Sequence, residues 1–236
     1  MAQRDQVPAA VVTIDGPAGA GKTSVARALA ERLGFALLDS GALYRAVALV
    51  ALERGVALDD DATLEAIART LAIRFEPADS FQRCWLDGRD VTAAIRERRV
   101  GDAASRVSAR PAVRAALLGL QRRVAEGRGV VAEGRDMGTV VFPEAPVKFF
   151  LTASAEERAR RRSEQLRRSG VAAVSQGEVQ KEQEVRDQRD SQREAAPLRA
   201  ASDAVAVDTT ALSEEEVVAR IERTVRDVLA GACRTS

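Results

Sequence analysis

The sequence predicts an α/β fold: a mostly parallel central sheet flanked by helices, carrying an inserted subdomain and a helical lid. Three observations carry this. From Val11 onward, short apolar or β-branched runs alternate with long alanine-rich stretches, the rhythm of strands joined by crossover helices. The first run leads into Gly16-Pro-Ala-Gly-Ala-Gly21-Lys22-Thr23, a glycine-rich turn that opens a helical pattern. The rhythm then breaks between about residues 60 and 108 and resumes.

The core strands are expected at Val11–Asp15, Ala36–Asp39, Val130–Glu133, Val147–Leu151 and Val205–Asp208, each short and apolar, as a strand covered on both faces should be. Val25, Leu29 and Leu33, at i, i+4 and i+8, give the first helix its buried stripe. Capping boxes, in which a hydroxyl and a Glu three residues on satisfy each other's amides, are expected at Ser154/Glu157, Ser175/Glu178 and Ser213/Glu216. Gly34, Gly55, Gly127, Gly170 and Gly231 are expected helix stops. The last helix presents Val217, Val218, Ile221, Val225, Val228 and Leu229 as a docking stripe.

In the interrupted stretch, Ile73-Arg-Phe75 and Cys84-Trp-Leu86 flank polar residues and Asp87-Gly88 follows, a hairpin signal. The expected division is 10–59 with 109–236 as the core, its lid at about 154–193, and 60–108 as the insert. Trp85 is expected to pack the insert's own core.

Composition removes whole reaction classes. There is no histidine, hence no Ser-His-Asp triad, no His general base and no HExxH metal helix. There is no asparagine, so neither the guanine-reading NKxD of small GTPases nor the HRDxxxxN loop of protein kinases can be written. A net charge of +1 argues against coating nucleic acid. Two cysteines, Cys84 and Cys233, are too few for a thiolate zinc site or disulfide framework and suit a reducing cytosol, both reading as inert. Met1–Pro8 has no apolar signal core, and the longest apolar run, Ala46–Leu52, falls far short of the about 20 residues of a membrane span. A soluble cytoplasmic monomer with neither membrane nor nucleic-acid partner is expected.

The glycine-rich turn is GxxxxGK[ST] in strand–loop–helix context, and Gly16, Pro17, Ala18, Gly19, Ala20, Gly21, Lys22, Thr23 and Ser24 are read as the ATP-binding segment. Glycines let the backbone curl so that successive N–H groups face phosphate oxygens, and the helix N-terminus adds partial positive charge. Lys22 can reach the β- and γ-phosphates, while the Thr23 hydroxyl is offered to Mg2+. A GTPase switch is excluded by the missing asparagine. A motor or nucleic-acid remodeller would need a further domain or a basic stripe, so a small-molecule phosphotransferase is favoured.

Asp39 and Ser40 end the second strand beside this loop, with Arg45 a turn or more into the next helix. Another strand runs into Glu133-Gly-Arg135-Asp136, which places those side chains on the same sheet edge, with an Arg135–Asp136 ion pair as the plainer reading. Arg158, Arg161 and Arg162 share one helical face, either solvated or serving as a lid that neutralises a moving phosphoryl group. Arg186, Arg189, Asp190 and Arg193 form one polar face on a helix expected to run to Pro197, a face suited to solvent or to a sugar phosphate.

With these residues assembled, the chain resembles the bacterial cytidylate kinases, P-loop nucleoside-monophosphate kinases that phosphorylate CMP and dCMP from ATP. The resemblance rests on TIDGPAGAGKTS at Thr13–Ser24, LLDSGALYR at Leu37–Arg45, GRDMGTVVFPEAPVKFFL at Gly134–Leu151 and RDQRDSQREAAPL at Arg186–Leu198, in the family's order. It implies the nucleoside-monophosphate kinase fold, with Ser105, Arg114 and Asp136 on the cytosine and Arg186 and Asp190 on the ribose. Arg45, Arg135 and Arg193 would grip the acceptor phosphate beside Ser40, and Arg158, Arg161 and Arg162 would be lid arginines acting with Lys22. Mg2+ would be held by Thr23 and, through a water, by Asp39. Where the family usually has Asp, this chain has Glu133. A kinase of another monophosphate (UMP/CMP or AMP) and a P-loop ATPase or binding module are the alternatives.

Overall fold

The computed structural model describes residues 10–78, 81–168 and 175–233. Its elements in chain order are β1 (Val11–Asp15), α1 (Lys22–Leu33), β2 (Ala36–Asp39), α2 (Ser40–Glu53), α3 (Asp61–Thr70), β3 (Ile73–Ala78), β4 (Phe81–Leu86) and β5 (Arg89–Asp90). There follow α4 (Arg98–Val107), α5 (Pro111–Arg123), β6 (Val130–Gly134), β7 (Val147–Thr152), α6 (Ala155–Arg168), α7 (Gln176–Gln192), β8 (Val205–Asp208) and α8 (Glu214–Cys233). A π-helical turn, Met137–Val141, follows β6. Met1–Pro8, Gly170 and the Cys233 side chain lie outside the described residues.

The chain falls into two compact units: the first comprises the segment up to Leu38, Val124–Gln192 and the segment from Ala196, and the second comprises Asp39–Arg123 with Arg193–Ala195. Residues 60–108 lie inside the second.

The first unit is built on the predicted strands, in the order β2-β6-β1-β7-β8. β1 runs parallel to β6 and β7, and β7 parallel to β8. The two-residue alternation of β1 sorts its side chains. Val12 and Ile14 join Val131, Val147, Phe149 and Leu151 in a core closed by Val25 and Leu29 of α1 and by Val217, Val218, Ile221, Val225 and Leu229 of α8. Val228 is no part of that stripe; it is 39% exposed, one position round the helix from Leu229. Thr13 and Asp15, on the opposite face of β1, are buried polar groups.

The capping boxes at Ser175/Glu178 and Ser213/Glu216 form reciprocally. At Ser154 only half forms: its hydroxyl accepts from the Glu157 N–H, but its own N–H donates to Thr210, because the Glu157 carboxylate is engaged by Arg160 and Arg161. Gly34 caps α1, and Gly55 follows α2. Gly127 lies in a turn beyond α5. Gly231 does not stop α8, which continues to Cys233; an interior glycine costs only about 1 kcal/mol against alanine. α7 ends at Gln192 rather than at Pro197, so Arg193 falls past the helix. There the chain turns: Ala196 has φ 52° and the Leu198 N–H closes onto the Asp190 carbonyl.

In the second unit, β3, β4 and β5 form an antiparallel sheet whose tight turn places Asp87 (φ 50°) and Gly88 (φ 78°) in the left-handed region, as a two-residue hairpin requires. Cys84 and Leu86 point to the buried face, where burial pushes the Cys84 thiol up to about 11 and suppresses thiolate reactivity. Trp85 therefore faces the other way and is not a core residue: it is half-buried, its Nε1 donates to Glu76, and the Arg74 guanidinium lies 5.5 Å from its ring centre. The apolar run Ala46–Leu52 lies within α2, and among the described residues no helix is long and apolar enough to cross a membrane.

Phe149, 1% exposed on a strand inside the sheet, fills the centre of this core. Phe149→Ala is expected to lower unfolding free energy by about 3–5 kcal/mol, against about 1 kcal/mol for Ser213→Ala, which removes one helix cap. Urea unfolding followed by far-UV circular dichroism measures both.

Candidate active site

The turn between β1 and α1 is shaped by what glycine leaves out. A side chain at Gly16 would place Cβ 2.1 Å from the Leu151 carbonyl oxygen. At Gly19 it would lie 2.9 Å from Arg158 Cβ and 3.1 Å from the Arg158 carbonyl, so α6 rests directly on the loop. Gly21 begins α1 at φ 88° without a side-chain cap, which leaves the helix's positive end to be met by an anion.

Lys22 is 6% exposed, and its Nζ donates to the Pro17 carbonyl at 2.8 Å. Burial, with the Arg135 and Arg186 guanidiniums nearby, brings the ammonium down to about 7, although Glu133 and Asp15 work against them. Thr23, open to solvent, donates from Oγ1 to Glu133 Oε1 at 2.5 Å. Glu133, which receives that bond, is buried near the end of β6.

Sequence reasoning passed over Asp15. Its carboxylate accepts from the Met137 N–H at 2.8 Å and the Gly138 N–H at 2.7 Å, tying the end of β1 to the π-helical turn. Gly138 is needed there, since a Cβ would come 2.8 Å from Thr13 Oγ1. Burial pushes Asp15 up to about 6 even though both amides favour its charged form. The alternation Thr13-Ile14-Asp15 at a strand's carboxyl end was the signal that could have found it.

Arg135 does not pair with Asp136. Its Nε donates to Asp190 Oδ2 on α7 at 2.9 Å, and the two side chains are 17% and 4% exposed. Asp136 is buried and Arg186 half-buried in the same unit. In α6, Arg158 Nη1 donates to the Ala18 carbonyl at 3.1 Å and to the Asp187 carboxylate, and Asp187 accepts from the Ala18 N–H. Arg161 donates to the Thr209 hydroxyl and carbonyl at 2.9 and 2.6 Å, whereas Arg162 turns along its helix to Gln165. Ala159, Leu166 and Val179 seal α6 against α7.

In the second unit, the Ser108 hydroxyl donates to the Ser105 carbonyl and Arg114 Nη1 to the Ser108 carbonyl, with the Arg114 guanidinium 5.6 Å from the Tyr44 ring centre. These contacts bring Ser105 and Arg114 together, along with Tyr44, which the sequence did not single out. Arg45 Nη1 donates to the Ile95 carbonyl and lies against Gly101. Ser40 and Arg193 are buried, and Asp39 caps α2 through its carboxylate on the Ala42 N–H at 3.0 Å. For a hard cation, the Thr23 hydroxyl and the Glu133 carboxylate offer two oxygens side by side. Among the described residues no group of three acidic, His or Cys side chains could hold a metal alone. Such a set fits Mg2+, which takes most of its ligands from phosphates and water.

Asp15 gives a pH signature. Its folded-state value near 6 lies above the unfolded 3.8, so the folded protein binds more protons between them and loses stability as pH rises from about 4 to 6. At 1.36 kcal/mol per unit, the stability of wild type relative to Asp15→Asn is expected to fall by about 2 kcal/mol over that range, measured by urea unfolding at each pH.

A family model described as cytidylate kinase matches residues 12–227. The chain is 54% identical over 216 residues to a cytidylate kinase of Azotobacter vinelandii, across 89% of this chain and 93% of that one. It is 51% identical over 211 residues to a cytidylate kinase of Saccharophagus degradans, across 89% and 94%. A gluconokinase structure from Sinorhizobium meliloti aligns over 98% of this chain and 99% of its own with TM-score 0.50 and 18% identity, a likeness of fold alone. The matched span takes in the phosphate loop, the β6 edge and the arginine-bearing helices, and the chain belongs to the cytidylate kinase family.

Proposed function

We propose that the protein transfers the γ-phosphoryl group of ATP to CMP or dCMP, giving ADP and CDP or dCDP. The observation that carries this is the glycine-shaped loop that sets buried Lys22 at the uncapped start of α1, in a chain of the cytidylate kinase family. Lys22 is buried with only part of its charge offset by Glu133 and Asp15, and a triphosphate with a phosphoryl group in transit would supply the rest.

The chemistry follows from this chain's inventory. An oxygen of the CMP phosphate, whose second pKa near 6 leaves it ionised, attacks the γ-phosphorus as the β–γ bridging bond breaks and ADP leaves with the electron pair. No general base is needed, in keeping with a chain that has no histidine. The Gly16–Ser24 segment binds and aligns the donor, and Lys22 with Arg158, Arg161 and Arg162 offsets charge on the transferring group. Arg45, Arg135 and Arg193, with Ser40, hold the acceptor phosphate. Arg186 and Asp190 take the ribose, and Ser105, Arg114 and Asp136 read the cytosine. Thr23 and Glu133 would hold Mg2+, with Asp39 through a water, and the ion would supply neutralisation of phosphate charge. The same reading places a monomer in the cytoplasm, in pyrimidine nucleotide metabolism, acting on small nucleotides rather than nucleic acid or membrane; near-zero net charge supports it.

A coupled ADP-release assay over CMP, dCMP, UMP, AMP and GMP should give the highest kcat/KM with CMP and dCMP. A preference for AMP or GMP overturns the reading, as does acceptor-independent ATP turnover unaffected by Arg193→Ala. Asp136→Ala should cost about 10- to 100-fold in kcat/KM for CMP, the size of a buried charged hydrogen bond, with KM for ATP within about twofold. Equal loss of ATP affinity would contradict its role on the base.

A further inference from the structure

None of the roles above uses Asp187, one residue beyond Arg186 on α7. Its carboxylate has one oxygen on the phosphate loop, accepting the Ala18 N–H at 3.1 Å, and the other on Arg158 Nη1. That same Nη1 donates to the Ala18 carbonyl at 3.1 Å, which closes a ring of three residues, and Arg158 Nε is held by the Ala153 carbonyl at 3.2 Å. The Arg158 and Asp187 side chains are 11% and 18% exposed. The Gln183 amide donates to the Arg158 carbonyl at 3.3 Å, and the missing side chain of Gly19 lets the α6 backbone come down onto the loop.

A carboxylate with an oxygen on a loop built for phosphate is electrostatically out of place unless its charge is matched. Arg158 matches it, and in return loses the freedom of a long side chain whose rotamers would otherwise be ordered only when substrate arrives. A donor fixed beforehand stabilises developing charge without reorganising during the reaction. We infer that Asp187 is a positioning residue: it holds the Arg158 guanidinium on the phosphate loop, where the transferring phosphoryl group needs it. This rests on the proposed phosphotransfer and adds to it which acidic residue sets the lid arginine.

The test is a double-mutant cycle on the full chain with ATP, Mg2+ and CMP, using Asp187→Asn, Arg158→Ala and both together. Asp187→Asn should lower kcat about 10- to 100-fold, the range for losing a charge-assisted hydrogen bond, and leave KM for CMP within about twofold. On the Arg158→Ala background the same change should matter less than about twofold, because the residue it acts through is gone. Effects that multiply, or a KM for CMP that rises in step with the fall in kcat, overturn the assignment. If Asp187→Asn does not fold, Asp187→Ala runs the same cycle. A wild-type protein that does not phosphorylate CMP overturns the proposed function instead, which the cycle's first measurement reveals.

Discussion

The first unit is organised around positive charge held out of water before its anion arrives. Lys22, Arg135 and Arg186 sit near one another, and Lys22 is all but buried. No folded chain tolerates that without partners, and they are visible: Asp190 takes Arg135, while Glu133 and Asp15 favour the charge on Lys22. The offset for Lys22 is partial, since its ammonium still lies far below its ordinary value. That residual imbalance is what a polyphosphate would relieve.

Holding such a site needs rigid surroundings, and the fold supplies them through backbone contacts. The Leu151 carbonyl closes on Gly16, α6 on Gly19, and Thr13 on Gly138. Asp15 fastens the π-helical turn after Arg135 and Asp136 to the strand that opens the phosphate loop, so the loop and the end of β6 share one anchor. Burial disfavours the charge on Asp15, and its two amide bonds offset part of that cost.

What could be read from the sequence is what local physics decides. The β1–loop–α1 unit was legible because strand alternation, glycine spacing and the helix stripe all lie within about twenty residues, and two of three capping boxes closed as the hydroxyl-to-Glu spacing required. What escaped was decided by topology. Arg135 finds Asp190, 55 positions away, over its neighbour Asp136, and Asp15 finds amides more than 120 positions on. Trp85 was misplaced because Cys84 and Leu86 are equally apolar and only the covered face of the sheet breaks the tie. Arg193 was put on a helix that in fact ends at Gln192, because the closing bond from Leu198 carries no local signal.

Lys22 is a cation kept out of water at a cost that phosphate would offset. Urea unfolding of wild type and Lys22→Met, each with and without ATP and Mg2+, tests it directly. Replacing a desolvated charge with an apolar chain of similar length should leave the free protein at least as stable as wild type, while stabilisation by ATP is lost. A Lys22→Met protein that is clearly less stable when free, yet still stabilised by ATP as wild type is, would contradict the account.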